Sequence, residues 1–210
     1  MEKDTWCTCY IVRHGQTDWN VQERLQGHTD IPLNATGRTE AAALQKEFAS
    51  TSFTAAFSSD LARAAETAAI ILEGKNVAAT PCRWLRERYY GALEGTTPKE
   101  RTTLFREQHT TQPITFFGCV TAKLCTDLET PEAVFTRVSS ELYALSRTHP
   151  GQNILVVTHG GVLRHLLYPY LDQENEPWKI ENCAWMKCTV MESSFSLEEM
   201  KGVYMAVKQP

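Results

Sequence analysis

Arg13 and His14 leave the apolar run "CYIV" side by side and are followed at once by Gly15. Neither side chain belongs in a core. On their own they read as the polar end of a strand. Three distant segments change that reading: "SSDLAR" brings Arg63, "LRERYYGALEG" offers Glu87, and "VVTHGG" ends in His159, Gly160 and Gly161. Two guanidiniums and two imidazoles meeting at one point would be costly in an empty interior. A dianionic phosphate removes that cost, because arginine forks pair bidentately with phosphoryl oxygens and stay charged at physiological pH. Gly15, Gly160 and Gly161 allow close backbone approach, and a helix starting near Gly160 would aim amide N–H groups at the anion. A neutral imidazole nitrogen can attack phosphorus. A carboxyl beside bound phosphate is favoured in its protonated form and can protonate a leaving alkoxide. The set therefore supplies positioning and charge neutralisation, the main needs of phosphoryl transfer, and calls for no metal and no cofactor.

Each residue also has a plainer reading. Arg63 lies in a segment rich in Ala, Glu and Arg, where arginine usually faces solvent. Glu87 stands between Arg86 and Arg88 and reads as a surface ion pair of little weight. Asp60 is a possible helix cap. Asn20 reads as a local turn residue, and His28, His109 and His165 as ordinary surface or core histidines. It is the joint occurrence that favours a site.

The elements that must hold these residues alternate along the chain. "CTCYIV" is a predicted strand, and "TGRTEAAALQKEFA" a helix with Thr36 as N-cap and Glu40 near its first turn. "FTAAFSS" is a second strand, "DLARAAETAAIILEG" a helix ended by Gly74, and "NVAATPC" a short third strand. Residues 96–128 follow no single period. "TPEAVFTRVSSELYALSRTHPG" is an amphipathic helix opening on Pro131, and "NILVVTH" a strand buried on both faces. "GGVLRHLLYPYL" starts a helix, and "AWMKCTVMES" with "GVYMAVK" form a closing antiparallel pair. This order predicts an α/β fold, a three-layer α/β/α sandwich with a mostly parallel sheet. In such sheets ligands bind outside the carboxyl ends of the strands, where Arg13, Arg63 and His159 would all lie.

Composition narrows the partners. A chain of 210 residues, 42% hydrophobic and 22% charged, suits one domain with a full core. The net charge of −4 speaks against nucleic acid and anionic membrane, and leaves a small anionic metabolite open. The acidic start "MEKDTWCTCY" lacks the pattern of a signal peptide, and no run reaches a membrane span, so a cytoplasmic protein is expected. Seven scattered cysteines fit reduced thiols better than a disulfide framework, with Cys7 and Cys9 as strand residues rather than metal ligands.

The segments "VRHGQTDWN", "FSSDLARAAETAAII", "LRERYYGALEG" and "VVTHGGVLR", in this order, resemble the signatures of the histidine phosphatase superfamily, branch 1, which also holds cofactor-dependent phosphoglycerate mutase. The resemblance runs from about Cys9 to Leu167. It implies a phosphoglycerate mutase-like domain over 1–210, with a small variable cap at about 96–130. It makes His14 the phosphorylated nucleophile and Glu87 the proton donor. Arg13, Arg63 and His159 become the phosphate pocket, with Asn20, Gln26, Gly27 and Gly160 as further substrate contacts. Mutases of this kind have a longer insertion with a basic pair and an asparagine after the second "HG". Here that position is Gly161, and Lys99, Arg101, Arg106 and Lys123 include no adjacent arginines. A metal-independent phosphatase for a small phosphorylated metabolite is therefore expected, with the mutase as the alternative. Phe105, Phe116 and Phe117 would anchor the cap or wall the pocket. A scaffold that had lost catalysis would lack one of the five groups. A nucleotide-binding module would show a Gly-x-Gly-x-x-Gly or Gly-Lys-Ser/Thr loop, and the chain has neither.

Overall fold

The computed structural model describes residues 5–107, 128–171 and 178–205, with 105–107 described through their backbone alone. Six strands form one sheet in the order β3-β2-β4-β1-β5-β6. These are β1 Cys7–Arg13, β2 Ala55–Ser59, β3 Ala79–Cys82, β4 Asn153–Thr158, β5 Trp178–Val190 and β6 Phe195–Met205. The first four strands in spatial order run parallel, and β5 and β6 close the sheet antiparallel. The helices are α1 Asp18–Val21, α2 Ala35–Glu47, α3 Ala62–Leu72, α4 Pro98–Glu107, α5 Pro131–Thr148 and α6 Gly160–Leu167.

Alternation along the strands divides the core in two. Cys7, Cys9, Ile11, Ile154 and Val156 face α5 and α6. Val12, Leu155 and Val157 face α2 and α3 on the other side. The expected three layers are present. The near-continuous apolar run of β4 is explained by its central place, since both of its faces are covered. Pro81 sits in β3 at the sheet edge, where a missing N–H costs no ladder bond. Among the described residues, no helix is long and apolar enough to cross a membrane.

Three local expectations are corrected. The cap of α2 is Asn34 and not Thr36: Asn34 Oδ1 accepts the Gly37 N–H at 2.9 Å, and the Asn34 N–H donates to Gln16 O at 3.0 Å. The helix must begin early because Gly37 packs on the Gly15–Gln16 backbone, where an added Cβ would lie 2.2 Å from Gln16 O. Asp60 does not cap α3. Leu61 holds the cap position, Asp30 Oδ1 accepts the Ala62 N–H at 2.8 Å, and Asp60 is taken by both arms of Arg86, each at 2.7 Å. The closing pair is longer than its apolar signal. β5 begins at Trp178, and a bulge between Ile180 and Trp185 hides its first part from a period-two reading. Pro131 opens α5 as expected, behind the Thr130 cap. Of the residues placed in the cap, His109, Phe116, Phe117 and Lys123 lie outside the described residues, as do the side chains of Phe105 and Arg106.

The topology makes a crevice. After β1 the chain passes to α2 on one face, and after its neighbour β4 it passes to α6 on the other. Such a reversal between adjacent parallel strands leaves a gap at their carboxyl ends. Arg13 pairs in register with Thr158 there, so His14 and His159 emerge together.

Candidate active site

The cleft at that crevice is lined by Arg13, His14, Asn20, Gln26, Gly27, Arg63, Glu87 and Gly160, among others. His159 sits directly behind, fully buried, its ring centroid 5.1 Å from that of His14. All nine residues singled out in the sequence thus meet at one place.

The hydrogen bonds define the two imidazoles. His14 Nδ1 lies 2.7 Å from Gly15 O. A carbonyl only accepts, so the proton is on Nδ1 and the lone pair on Nε2. Arg63 Nε donates to His159 Nδ1 at 3.3 Å. An arginine only donates, so the His159 proton is on Nε2, a buried atom with no partner among the described residues. One ring therefore offers a lone pair and the other an unmatched N–H. Burial first, and then the charges of Arg63 and Arg13, hold the His14 pKa well below the ordinary imidazole value, so the ring is neutral near pH 7. His159 is pushed down in the same way, by burial and then Arg63.

The arginines are held by backbone. Arg63, at 0% exposure on the first turn of α3, donates to Thr29 O and Gly27 O, both at 2.8 Å. Burial lowers its pKa to about 10, so it remains charged. The 27–29 turn that receives it is fastened by Glu94, which accepts the His28 and Thr29 N–H groups at 2.9 and 2.7 Å. Arg13 Nη1 donates to Ile180 O in the β5 bulge, and its buried Nε meets no acceptor among the described residues. The same bulge holds the His14 loop, for Cys183 N–H and Asn182 Nδ2 both donate to His14 O, at 3.3 and 3.2 Å. Asn20 Oδ1 accepts the Thr17 N–H at 3.0 Å and Gln26 Oε1 accepts from Thr17 Oγ1 at 3.1 Å, which leaves the NH2 groups of both as donors for the cleft they line.

Glu87 is not the surface ion pair of the plainer reading. Arg86 is taken by Asp60, and Arg88 is buried. The Glu87 carboxylate accepts the Arg88 N–H at 2.7 Å and the Gly161 N–H at 2.8 Å, at the start of α6. A Cβ on residue 161 would lie 2.2 Å from Glu87 Oε1 and would push the carboxylate aside. The loop carrying Glu87 is pinned from two sides. Thr158 Oγ1 donates to Leu85 O at 2.7 Å, and Arg137 of α5 donates to Trp84 O and Arg86 O at 2.6 and 3.1 Å.

The sequence profile of the histidine phosphatase superfamily, branch 1, matches residues 9–202. The chain belongs to this family. An uncharacterized phosphatase of Bacillus subtilis, PhoE, is 33% identical over 157 residues, covering 75% of this chain and 74% of that protein. A 2,3-bisphosphoglycerate-dependent phosphoglycerate mutase of Gloeobacter violaceus is 33% identical over 184 residues, covering 82% and 81%. Among solved structures, YhfR of Bacillus stearothermophilus superposes with a TM-score of 0.79 at 28% identity, over 93% of this chain and 96% of that one. The chain is thus a phosphoglycerate mutase-like enzyme of the histidine phosphatase family.

The histidine phosphatase site has further walls that the sequence reading left out. Arg24, Leu25, Arg88, Tyr90, Arg164, His165 and Ile180 also line the cleft. Arg164 is four residues after Gly160, hence one turn along the same face of α6, a spacing that could have flagged it. His165, read as an ordinary histidine, is a buried one at the cleft wall. His28 supports the Glu87 loop, its Nε2 lying 2.9 Å from Glu87 O.

Proposed function

We propose that this histidine phosphatase is a metal-independent phosphomonoester hydrolase acting on a small phosphorylated metabolite through a phosphohistidine. The complementary pair of imidazoles carries the reading: an unprotonated His14 Nε2 on one ring, and 5.1 Å away between centroids a second ring whose Nε2–H has no acceptor among the described residues. The phosphoryl oxygens take the charges of Arg13 and Arg63, the His159 N–H and the Asn20 and Gln26 amides. His14 Nε2 attacks phosphorus as the ester P–O bond breaks, and Glu87 gives its proton to the leaving oxygen. Water then attacks the phosphohistidine, Glu87 takes its proton, and phosphate leaves with His14 restored. Arginine supplies the positive charge that a metal ion supplies in other phosphatases.

Water and not a second substrate oxygen is the acceptor in this reading. Gly161, where related mutases resemble one another in having asparagine, is occupied in holding Glu87. The test is one incubation with 3-phosphoglycerate and catalytic 2,3-bisphosphoglycerate, beside a panel of phosphomonoesters, followed for both 2-phosphoglycerate and free phosphate. Free phosphate without isomerisation, unaffected by EDTA and abolished together with the labelled intermediate in His14→Ala, is expected. Rapid formation of the 2-isomer with little free phosphate would make the enzyme a mutase. Wild-type turnover by His14→Ala would remove the nucleophile.

A further inference from the structure

The peptide group that fixes the His14 tautomer has a second partner. Gly15 O takes the His14 Nδ1–H at 2.7 Å, and the N–H of the same peptide group, that of Gln16, donates to Glu40 Oε2 at 2.8 Å. A trans peptide points its C=O and N–H in opposite directions, so the imidazole and the carboxylate meet it from opposite ends. Each bond in such a chain polarises the next. The Glu40 charge draws the Gln16 proton and makes Gly15 O the stronger acceptor for Nδ1–H.

The peptide between them is held firmly. Gly37 of α2 lies on it so closely that an added Cβ would stand 2.6 Å from Gln16 N and 2.2 Å from Gln16 O. Glu40 follows one turn later on the same face of that helix. Asn34, the cap of α2, donates to Gln16 O and to Gln16 Oε1, both at 3.0 Å. The preceding peptide gives its Gly15 N–H to Thr67 Oγ1 at 3.0 Å, while Thr67 donates to Arg63 O at 2.7 Å. Glu40 itself is partly buried. Burial raises its pKa above the ordinary carboxylate value, against the pull of the Gln16 N–H and of the Arg13 charge.

Attack on phosphorus creates a charge that this chain can answer. His14 Nε2 gives its lone pair to phosphorus, and the electrons of the ester P–O bond leave with the departing oxygen. The ring keeps its Nδ1 proton and becomes a phosphorylated imidazolium. Arg63 and Arg13 oppose positive charge on this ring, and the bond to Gly15 O favours it. We propose that Glu40 is a positioning residue for His14, its carboxylate acting through the Gly15–Gln16 peptide to hold the Nδ1 proton and to offset the charge the ring acquires in attack. The proton stays on Nδ1 throughout. This role rests on the reading of His14 as the nucleophile of a hydrolase.

Two variants test it. Glu40→Gln keeps an acceptor for the Gln16 N–H and removes the charge, and Glu40→Leu removes both. With p-nitrophenyl phosphate, whose leaving group needs little protonation, kcat/KM reports the attack. It is expected to fall about threefold to tenfold in Glu40→Gln and further in Glu40→Leu, as a weakened hydrogen-bond chain requires. Inorganic phosphate should inhibit both variants at least as well as the wild type, because a negative charge near Arg13 has gone while the anion pocket stands. The His14 Nδ1–H proton resonance, moved downfield by its hydrogen bond, should shift upfield in Glu40→Gln and further in Glu40→Leu. An unchanged kcat/KM in both variants would overturn the role. So would a loss matched by an equal loss of phosphate affinity, the mark of a disturbed pocket, or a slower rate with the Nδ1–H resonance unmoved. Wild-type turnover by His14→Ala, measured alongside, would instead remove the nucleophile on which the role rests.

Discussion

At the scale of single residues, the chemistry turns on which nitrogen carries a proton. Gly15 O and Arg63 Nε, a pure acceptor and a pure donor, set His14 and His159 in opposite tautomers. In the proposed reaction one attacks while the other stabilises the developing charge. Neutral His14 also needs no base to activate it, because burial and two arginines already keep the proton off Nε2. In the proposed reaction Glu87 serves the leaving-group end, where its worth depends on how badly the leaving oxygen needs a proton. Glu87→Gln is therefore expected to lose about 10²–10⁴-fold in kcat/KM on alkyl phosphates and far less on p-nitrophenyl phosphate. Equal losses on both substrates, measured side by side, would take Glu87 out of the acid role.

At the scale of elements, the site depends on segments that make no contact with a reacting atom. The β5 bulge holds His14 O and Arg13, α5 holds the acid loop through Arg137, and the start of α6 holds the Glu87 carboxylate. The α6 start is the easiest to perturb cleanly. A methyl group at 161 would occupy the place of Glu87 Oε1, so the carboxylate must shift from its position on the Gly161 amide. Gly161→Ala should reproduce the signature of Glu87→Gln in weaker form, about tenfold or more on an alkyl phosphate with p-nitrophenyl phosphate nearly spared. An alanine variant that hydrolyses both esters as the wild type does would show that Glu87 works without this support.

At the scale of the whole molecule, burying this site ties stability to pH. His14, His159 and His165 all have imidazole pKa values below the ordinary 6.5, through burial and then arginine charge. As the pH falls below 6.5, the unfolded chain takes up these protons while the folded chain resists, down to about 4 for His165. The contribution of these depressed groups is therefore complete above 6.5 and is lost as the pH falls through that window. Asp60, held low by its hydrogen bonds to Arg86, adds a loss of the same sign in stronger acid. Thermal melts between about pH 4 and about pH 8 should show a midpoint that is highest near neutrality and drops steadily below about pH 6.5. His165→Gln should remove part of that slope. A midpoint independent of pH across this range would contradict the burial of neutral imidazoles.

The alternation of strand and helix signals, and the placing of Arg13, Arg63 and His159 at strand ends, were legible in the residues alone, because period and punctuation are local properties. The four motifs carry seven of the predicted site residues and the stretch at Gln26 and Gly27 the other two, and all nine meet in or directly behind the cleft. Partnership was not legible. That Asn34 and not Thr36 caps α2, that Asp30 serves the start of α3 while Asp60 takes Arg86, and that the β5 bulge reaches His14 are outcomes of packing between segments far apart in sequence. The same holds for Arg88 and Arg164. Each sits in a motif segment and reads there as ordinary surface charge, until tertiary structure buries Arg88 and brings the half-buried Arg164 into the same cleft wall. The sequence by itself determined the chemistry available to this protein. Only the tertiary structure decided which charges are already answered within the chain and which are left for a substrate, because that balance depends on neighbours in space.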